Sequence, residues 1–251
     1  MSRLEDNFRK VEPYVPGEQP NLPDMVKLNT NENPYPPSPK VAEALQKFEL
    51  DSLRLYPDPA STDLVNALAE KYHVQADQVY TGVGSDDVLA IAFLTFFNSG
   101  KPILFPDITY SFYDVWAELF QIPYERPALD DAFALRLEDY QCENGGIVIA
   151  NPNAPTGIRQ SEEFLRAVIE ANPNVVVIID EAYADFSGYT ALPLVDEYEN
   201  VVVVQTFSKS RSMAGMRIGY AISNPTLIKY LNDVKYSFNS YTMDQTALDL
   251  G

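Results

Sequence analysis

From Pro39 the apolar residues Val41, Ala44, Leu45 and Phe48 fall at helical spacing, which predicts a helix with one buried face. A second helix follows LYPDPAST, with Leu64, Val65, Leu68, Ala69 and Tyr72 on one side. A third runs from Ser85 through Phe97 and is apolar nearly all round, the pattern of a deeply buried helix. The middle of the chain changes period. GIVIAN (146–151), VVVIID (175–180) and VVVVQT (201–206) are unbroken runs rich in β-branched residues. Strands of that kind are covered on both faces, as in parallel or mixed sheets between helices. Between the first two lies SEEFLRAVIEAN, where Ser161 can cap a helix and Glu162 and Glu163 suit its positive end. Phe164, Leu165, Val168 and Ile169 make its buried face. This is a β-α-β unit with a right-handed crossover expected. The predicted fold is α/β, a mixed and mostly parallel sheet flanked by helices. Ahead of Pro39 the chain is rich in Pro and Asn, including LNTNENPYPPSP. That composition predicts an extended arm.

Composition narrows the function classes. With 251 residues, 46% hydrophobic and 22% charged, the chain can bury a sizeable core. Its net charge is -18 and no stretch concentrates Lys or Arg, so nucleic acid and anionic membranes are excluded as partners. The opening MSRLEDNFRK lacks the apolar core of a signal peptide, and no apolar run is long enough to cross a bilayer. Cys142 is the single cysteine, which rules out an intrachain disulfide or a cysteine-based metal site. A cytoplasmic location is expected. The lone histidine, His73, sits at a helix end and reads as surface, so a Ser-His-Asp mechanism is set aside.

In open α/β sheets ligands gather at the carboxyl ends of the strands. The residues found there are NPNAPTG after the first long strand, Asp180 in DEAY after the second, and TFSKSRSMAGMRIGY around the end of the third. PDITYSFY follows the short strand PILF, and TGVGSDD precedes the buried third helix. Singly each has a plain structural reading: a lysine in a Ser-rich loop is commonly surface, and an aspartate after a strand commonly serves a turn. Asn151, Asp180 and Lys209 nonetheless recur at equal intervals, as a shared sheet edge requires. Together they suit a pyridine cofactor held through Lys209, with the acid of Asp180 against the ring nitrogen. Tyr183 can reach the ring hydroxyl, and Tyr110 offers an aromatic face. Gly84, Ser85 and Asp86 open a helix that can receive a phosphate, with Thr206, Ser208 and Arg217 close to Lys209 in sequence.

These segments resemble the fold-type I pyridoxal-phosphate aminotransferases, most closely their histidinol-phosphate branch. NENPYPPSP, LYPDP, GVGSDD, PDITYSFY, NPNAPTG, DEAYADF and TFSKSRSMAGMRIGY occur in that family's order, from Leu28 to the end of the chain. The resemblance implies transfer of an amino group between L-histidinol phosphate and 2-oxoglutarate in histidine biosynthesis, with pyridoxal 5'-phosphate as cofactor. It assigns Lys209 as Schiff-base lysine and proton shuttle, Asp180 to the ring nitrogen, Tyr183 to the ring oxygen, Arg217 to the phosphate and Tyr110 to the ring face. It also implies a homodimer with shared sites, in which Tyr56 reaches the phosphate of the neighbouring subunit. The family has asparagine directly before PTG; here Ala154 stands there with Asn153 one place earlier. Either Asn153 serves the ring oxygen instead or Tyr183 holds it alone.

The resemblance further predicts an N-terminal arm and part of a small domain over 1–45 and a large cofactor-binding domain over 46–251. The C-terminal segment that completes the small domain in the family, and carries the arginines that grip the substrate, is absent from this chain. Threonine-phosphate decarboxylase and aromatic amino-acid aminotransferase activities remain alternatives on the same frame. A truncated cofactor-binding domain without turnover is the non-enzyme alternative.

Overall fold

The computed structural model describes residues 4–19 and 22–251, so residues 1–3 and 20–21 of the predicted arm lie outside it. The first regular elements after the arm are helices α1 (Pro39–Gln46) and α2 (Thr62–Tyr72). Strand β1 (Val79–Val83) then leads into α3 (Ser85–Phe96) and β2 (Ile103–Leu104). Helix α4 (Phe112–Phe120), β3 (Tyr124–Glu125) and β4 (Gly146–Ala150) follow. The β-α-β unit continues through α5 (Glu162–Ala171) to β5 (Val177–Asp180). Two single-turn helices, α6 (Ala184–Ser187) and α7 (Leu194–Glu197), precede β6 (Val201–Thr206). The chain closes with β7 (Ile218–Ser223), α8 (Pro225–Phe238) and α9 (Gln245–Leu250).

The seven strands form one sheet in the order β1-β7-β6-β5-β4-β2-β3. Strand β7 runs antiparallel to both its neighbours, β1 and β6, and the remaining pairs are parallel. Successive strand residues point to opposite faces, and both faces are dry. Ile147, Ile149, Val177, Ile179, Val201 and Val203 face a layer built by α2, α5, α7 and α9. Val148, Ile178, Val202 and Val204 face the other layer, built by α3, α4 and α8. The unbroken apolar runs of the sequence are therefore strands buried on both sides.

Local signals set the helix ends. Ser161 Oγ accepts from Phe164 N at the start of α5, and Asn224 and Asp244 do the same for α8 and α9. His73 ends α2 in a left-handed conformation and is exposed, as its sequence context predicts. The first helix differs from expectation. None of its residues is buried, Leu45 is 54% exposed, and Phe48 lies past its end at Gln46. Only Val41 and Ala44 of the predicted apolar face lean on the core.

Candidate active site

The paired register aligns Ala150, Asp180 and Val204 across β4, β5 and β6, so the segments after these strands emerge on one edge. β1 ends on the same edge through Val83, paired with Ile218. Because β7 runs the opposite way, its entry residue lands there too. That residue is Arg217, left-handed at φ 53 after a single 3-10 turn. Segments far apart in sequence thus meet around a cavity of about 330 Å³.

Asp180 forms part of the floor and is 4% exposed. Tyr113 Oη donates to its Oδ2 at 2.7 Å and Ala182 N donates to its Oδ1 at 3.1 Å. Burial pushes this carboxyl up to about 6, against those hydrogen bonds. Lys209 lines the same cavity; its Nζ donates to Thr30 O at 3.0 Å and lies 5.6 Å from the centre of the Tyr183 ring. Tyr183 Oη accepts from Asn31 Nδ2 at 2.8 Å, leaving its own proton free to be donated. Tyr110 presents its ring to the cavity and donates its Oη to Asp86 Oδ1 at 2.8 Å. Burial and the Asp86 carboxylate push the Tyr110 hydroxyl well above its ordinary value, so it stays protonated and donates to Asp86.

The remaining wall is an anion-binding end. Ser85 and Asp86 begin α3, whose first backbone N–H groups have no partner within the helix. Ser208 and Arg217 face them across the cavity. The Arg217 guanidinium lies 3.5 Å from Asp86, a long contact for an ion pair. Gly84 makes this closeness possible: at φ 85, a Cβ there would meet Arg217 Nη2 at 2.4 Å. Gly219 works from below, where a Cβ would stand 2.2 Å from the carbonyl carbon of Gly84.

Of the residues singled out in the sequence, Ser85, Asp86, Tyr110, Asp180, Tyr183, Ser208, Lys209 and Arg217 line this one cavity. Gly84 sits beneath Arg217, and Thr206 stands behind Ser208, whose backbone N donates to Thr206 Oγ1 at 3.1 Å. Asn153 is placed differently. Its Nδ2 donates to Ile108 O and Thr156 Oγ1, and its Oδ1 accepts from Thr109 Oγ1. It is committed to tying its loop to the β2–α4 loop and borders a neighbouring groove, while Ala154 lines the main cavity. Tyr56 is 81% exposed and stacks on Tyr241, with ring centres 4.6 Å apart.

The structure also adds residues. Thr30, Asn31 and Glu32 of the arm reach the cavity or its tyrosine, and Asn33 Nδ2 donates to Lys209 O at 3.2 Å. The run of asparagines in an otherwise extended arm is the signal for them. Tyr113 reads in the sequence as a packing aromatic, and it is fully buried, but its hydroxyl also carries Asp180. The donor set fits pyridoxal phosphate: an amine, a buried carboxylate, an aromatic face, and a cationic helix terminus kept open by two glycines.

Comparison with known proteins agrees with this geometry. The family model for aminotransferase class I and II matches residues 23–249. A histidinol-phosphate aminotransferase of Lactococcus lactis subsp. cremoris is 52% identical over 247 residues, covering 98% of this chain and 69% of the relative. The Pseudomonas putida protein of that name is 53% identical over 249 residues, covering 99% and 72%. Among solved structures, histidinol-phosphate aminotransferase from Sinorhizobium meliloti, in complex with pyridoxal-5'-phosphate, superposes with a TM-score of 0.79 at 23% identity. The match covers 88% of this chain and 61% of that one. A Thermus thermophilus aspartate aminotransferase gives 0.79 at 21% identity, covering 88% and 62%. At such identities these two show the shared fold.

Proposed function

This chain belongs to the class I and II aminotransferases, and on that premise we propose that it exchanges an amino group between L-histidinol phosphate and 2-oxoglutarate in histidine biosynthesis. The relatives that carry this activity in their names are half identical over nearly the whole chain. The observation that carries the chemistry is the convergence of Lys209, Asp180 and Arg217 on one cavity.

Pyridoxal phosphate, the cofactor, supplies a protonated ring that takes up the electron pair left when a donor's Cα–H bond breaks. The side chains divide the remaining work. Lys209 Nζ anchors the cofactor and moves the proton leaving the donor's Cα. Asp180 holds the proton on the ring nitrogen; a cationic partner returns this carboxyl to its ionised form, offsetting the burial that raises it. Tyr183 donates its free hydroxyl proton to the ring oxygen, an orientation that Asn31 favours by donating to the same Oη. Ser85, Ser208, Arg217 and the first N–H groups of α3 bind the phosphate. Tyr110 covers one ring face and keeps water from it.

The same reading makes the protein a cytoplasmic homodimer acting on small molecules, with Tyr56 serving the partner's site. Tyr56, Leu53, Leu55 and Phe238 are exposed apolar residues that suit an interface. The exposed thiol of Cys142 suits a reducing compartment. Among the described residues no helix is long and apolar enough to cross a membrane. On this reading the described residues up to 45 serve as an arm with part of a small domain, and 46–251 as the cofactor-binding domain.

Visible absorbance tests the site. With added pyridoxal phosphate the wild type should show a band that borohydride removes, and Lys209→Ala should lack it. A folded Lys209→Ala protein with the same band would overturn the assignment. Addition of histidinol phosphate should bleach the band at lower concentration than phenylalanine; a tenfold preference for phenylalanine would move the donor to the aromatic amino acids.

A further inference from the structure

A buried polar chain runs on the face of the sheet opposite Asp180. Glu181 directly follows Asp180 and, one residue on, points the other way. It is 2% exposed, and each of its oxygens is held. Oε1 accepts from Ala191 N at 2.5 Å; Oε2 accepts from Thr190 Oγ1 at 2.6 Å and Gln205 Nε2 at 2.7 Å. A carboxylate only accepts, so it fixes the amide of Gln205 with its oxygen turned away. That oxygen accepts from Tyr72 Oη at 3.0 Å and Tyr220 Oη at 2.5 Å. Tyr72 Oη in turn accepts from Arg211 Nη2 at 2.7 Å.

Every donor along this path points from the guanidinium towards the carboxylate. The chain of bonds is therefore polarised, with a guanidinium at one end, a carboxyl group at the other and neutral groups between them. Arg211 also pairs with Asp185, Nη2 to Oδ2 at 3.7 Å, and lies against two aromatic rings, 4.8 Å from the centre of Phe207 and 5.5 Å from that of Tyr220. Its second arm, Nη1, donates to Thr206 O at 3.1 Å. That bond closes the turn carrying Lys209, which Ser212 N to Lys209 O and Met213 N to Phe207 O also tie. Neither end of the network reaches the cofactor cavity, and the one at Glu181 is costly to ionise: burial pushes its carboxyl up to about 7.

We propose that Arg211 and Glu181, joined through Tyr72, Tyr220 and Gln205, are positioning residues that lock the turn of Lys209 to the strand end of Asp180. The two groups that must face opposite ends of one cofactor ring stand on different segments. Their spacing depends on how the β6–β7 turn sits on β5. Tyr72 and Tyr220 also touch through their hydroxyls at 2.5 Å, and share two protons among three contacts with each other and Gln205. A buried polar network of this kind fixes that placement more sharply than apolar packing, because a shift of either segment breaks its bonds away from water. The inference rests on the cofactor reading of the cavity but not on the identity of the amino donor.

The test uses the whole chain and pyridoxal phosphate, with no amino donor. Arg211→Met, Glu181→Gln and the mild Tyr72→Phe are compared with wild type for cofactor dissociation constant and for the pH midpoint of the Lys209-dependent band. Each should weaken the cofactor by tenfold or more and displace the midpoint by at least half a pH unit. The Arg211→Met, Glu181→Gln double variant should lose little beyond the worse single one, since a broken chain cannot be broken twice. Tyr72→Phe keeps the packing, so it decides the matter if Arg211→Met fails to fold. A folded Tyr72→Phe protein with wild-type affinity and midpoint overturns the proposal, as do losses in the single variants that simply add. If wild type itself shows no band, the cofactor reading fails separately. Amide hydrogen exchange of residues 206–213 then decides: acceleration in Tyr72→Phe supports the lock, and unchanged exchange refutes it.

Discussion

Asp180 carries a burial cost that its hydrogen bonds from Tyr113 and Ala182 offset only in part, and that cost is visible in how stability should vary with pH. Its folded carboxyl is raised to about 6 and that of Glu181 to about 7, so both bind protons more tightly folded than unfolded. Such groups weaken the fold fully at pH above these values, and the penalty fades as pH falls towards their unfolded values. The cofactor-free protein should accordingly gain stability between pH 8 and pH 5.5, by about 1 kcal/mol for Asp180 and about 2 kcal/mol for Glu181. At lower pH the trend reverses, because hydrogen bonds hold carboxyls such as Asp58 below their ordinary value. The net charge of -18 acts in the same direction on acidification, so the informative quantity is a difference. Urea denaturation of Asp180→Asn should show a shallower rise than wild type over that range; parallel curves would refute the assignment. The neighbouring loop offers a second contrast. Asn153 spends both ends of its amide on joining its loop to Ile108 and Thr109 of the β2–α4 loop, whereas Ala154 faces the cavity. Asn153→Ala should therefore cost about 2 kcal/mol of stability. Ala154→Asn should instead tighten the cofactor, by roughly 1 kcal/mol if its amide reaches the ring oxygen. Equilibrium dialysis separates the two, and the reverse pattern would return the role to Asn153.

At the scale of elements, what places the anion-binding end is the seating of α3 on the sheet. Strand β7 passes beneath the β1–α3 junction with Gly219 against the backbone of Gly84, where no Cβ fits. Gly219→Ala must lift the start of α3 or push β7 aside, at a cost of about 2–3 kcal/mol. It should also lower cofactor affinity, because Ser85, Asp86 and Arg217 are then misaligned. Calorimetric melting together with a cofactor titration checks both, and an unaltered affinity in a destabilised protein would show that the junction is structural only. The sequence announces this arrangement unevenly. The long central strands and α2, α3 and α5 are readable because burial imposes its period directly on them. Strands β1 and β7 are not: VYTGV and IGYAIS contain small and aromatic residues, and β7 runs antiparallel in a mostly parallel frame. The reversal is what brings Arg217 to the edge, so its place rests on topology that residue spacing does not encode. Tyr113 and Gly219 are hidden for a related reason. Their partners, Asp180 and Gly84, are distant in sequence and meet them only after the layers close.

For the whole molecule, the position of Tyr56 poses a sharper question than its chemistry. Within the chain it stacks on Tyr241 and lines none of the main cavity, and the loop after it is tied to α8 by Lys235 Nζ donating to Pro59 O at 3.3 Å. Such a loop is held out from its own site and presented to solvent, as a residue serving a second copy would be. A two-fold dimer gives each site one Lys209 and one Tyr56 from different chains. This makes hybrid dimers decisive. Mixed and refolded together, Lys209→Ala and Tyr56→Phe chains form hybrids in about half of all dimers. In a hybrid with shared sites, the Lys209 of the Tyr56→Phe chain faces the intact Tyr56 of its partner. About one quarter of wild-type tight-binding sites should then return, measured at a cofactor concentration too low to fill Tyr56→Phe sites. If Tyr56 instead folds back on its own cavity, neither site of a hybrid holds both residues, and mixing restores nothing. Sedimentation of the mixture guards the inference: recovery without dimers would exclude sharing, whereas dimers without recovery would confine Tyr56 to the interface and leave the phosphate to Arg217, Ser85 and Ser208 alone.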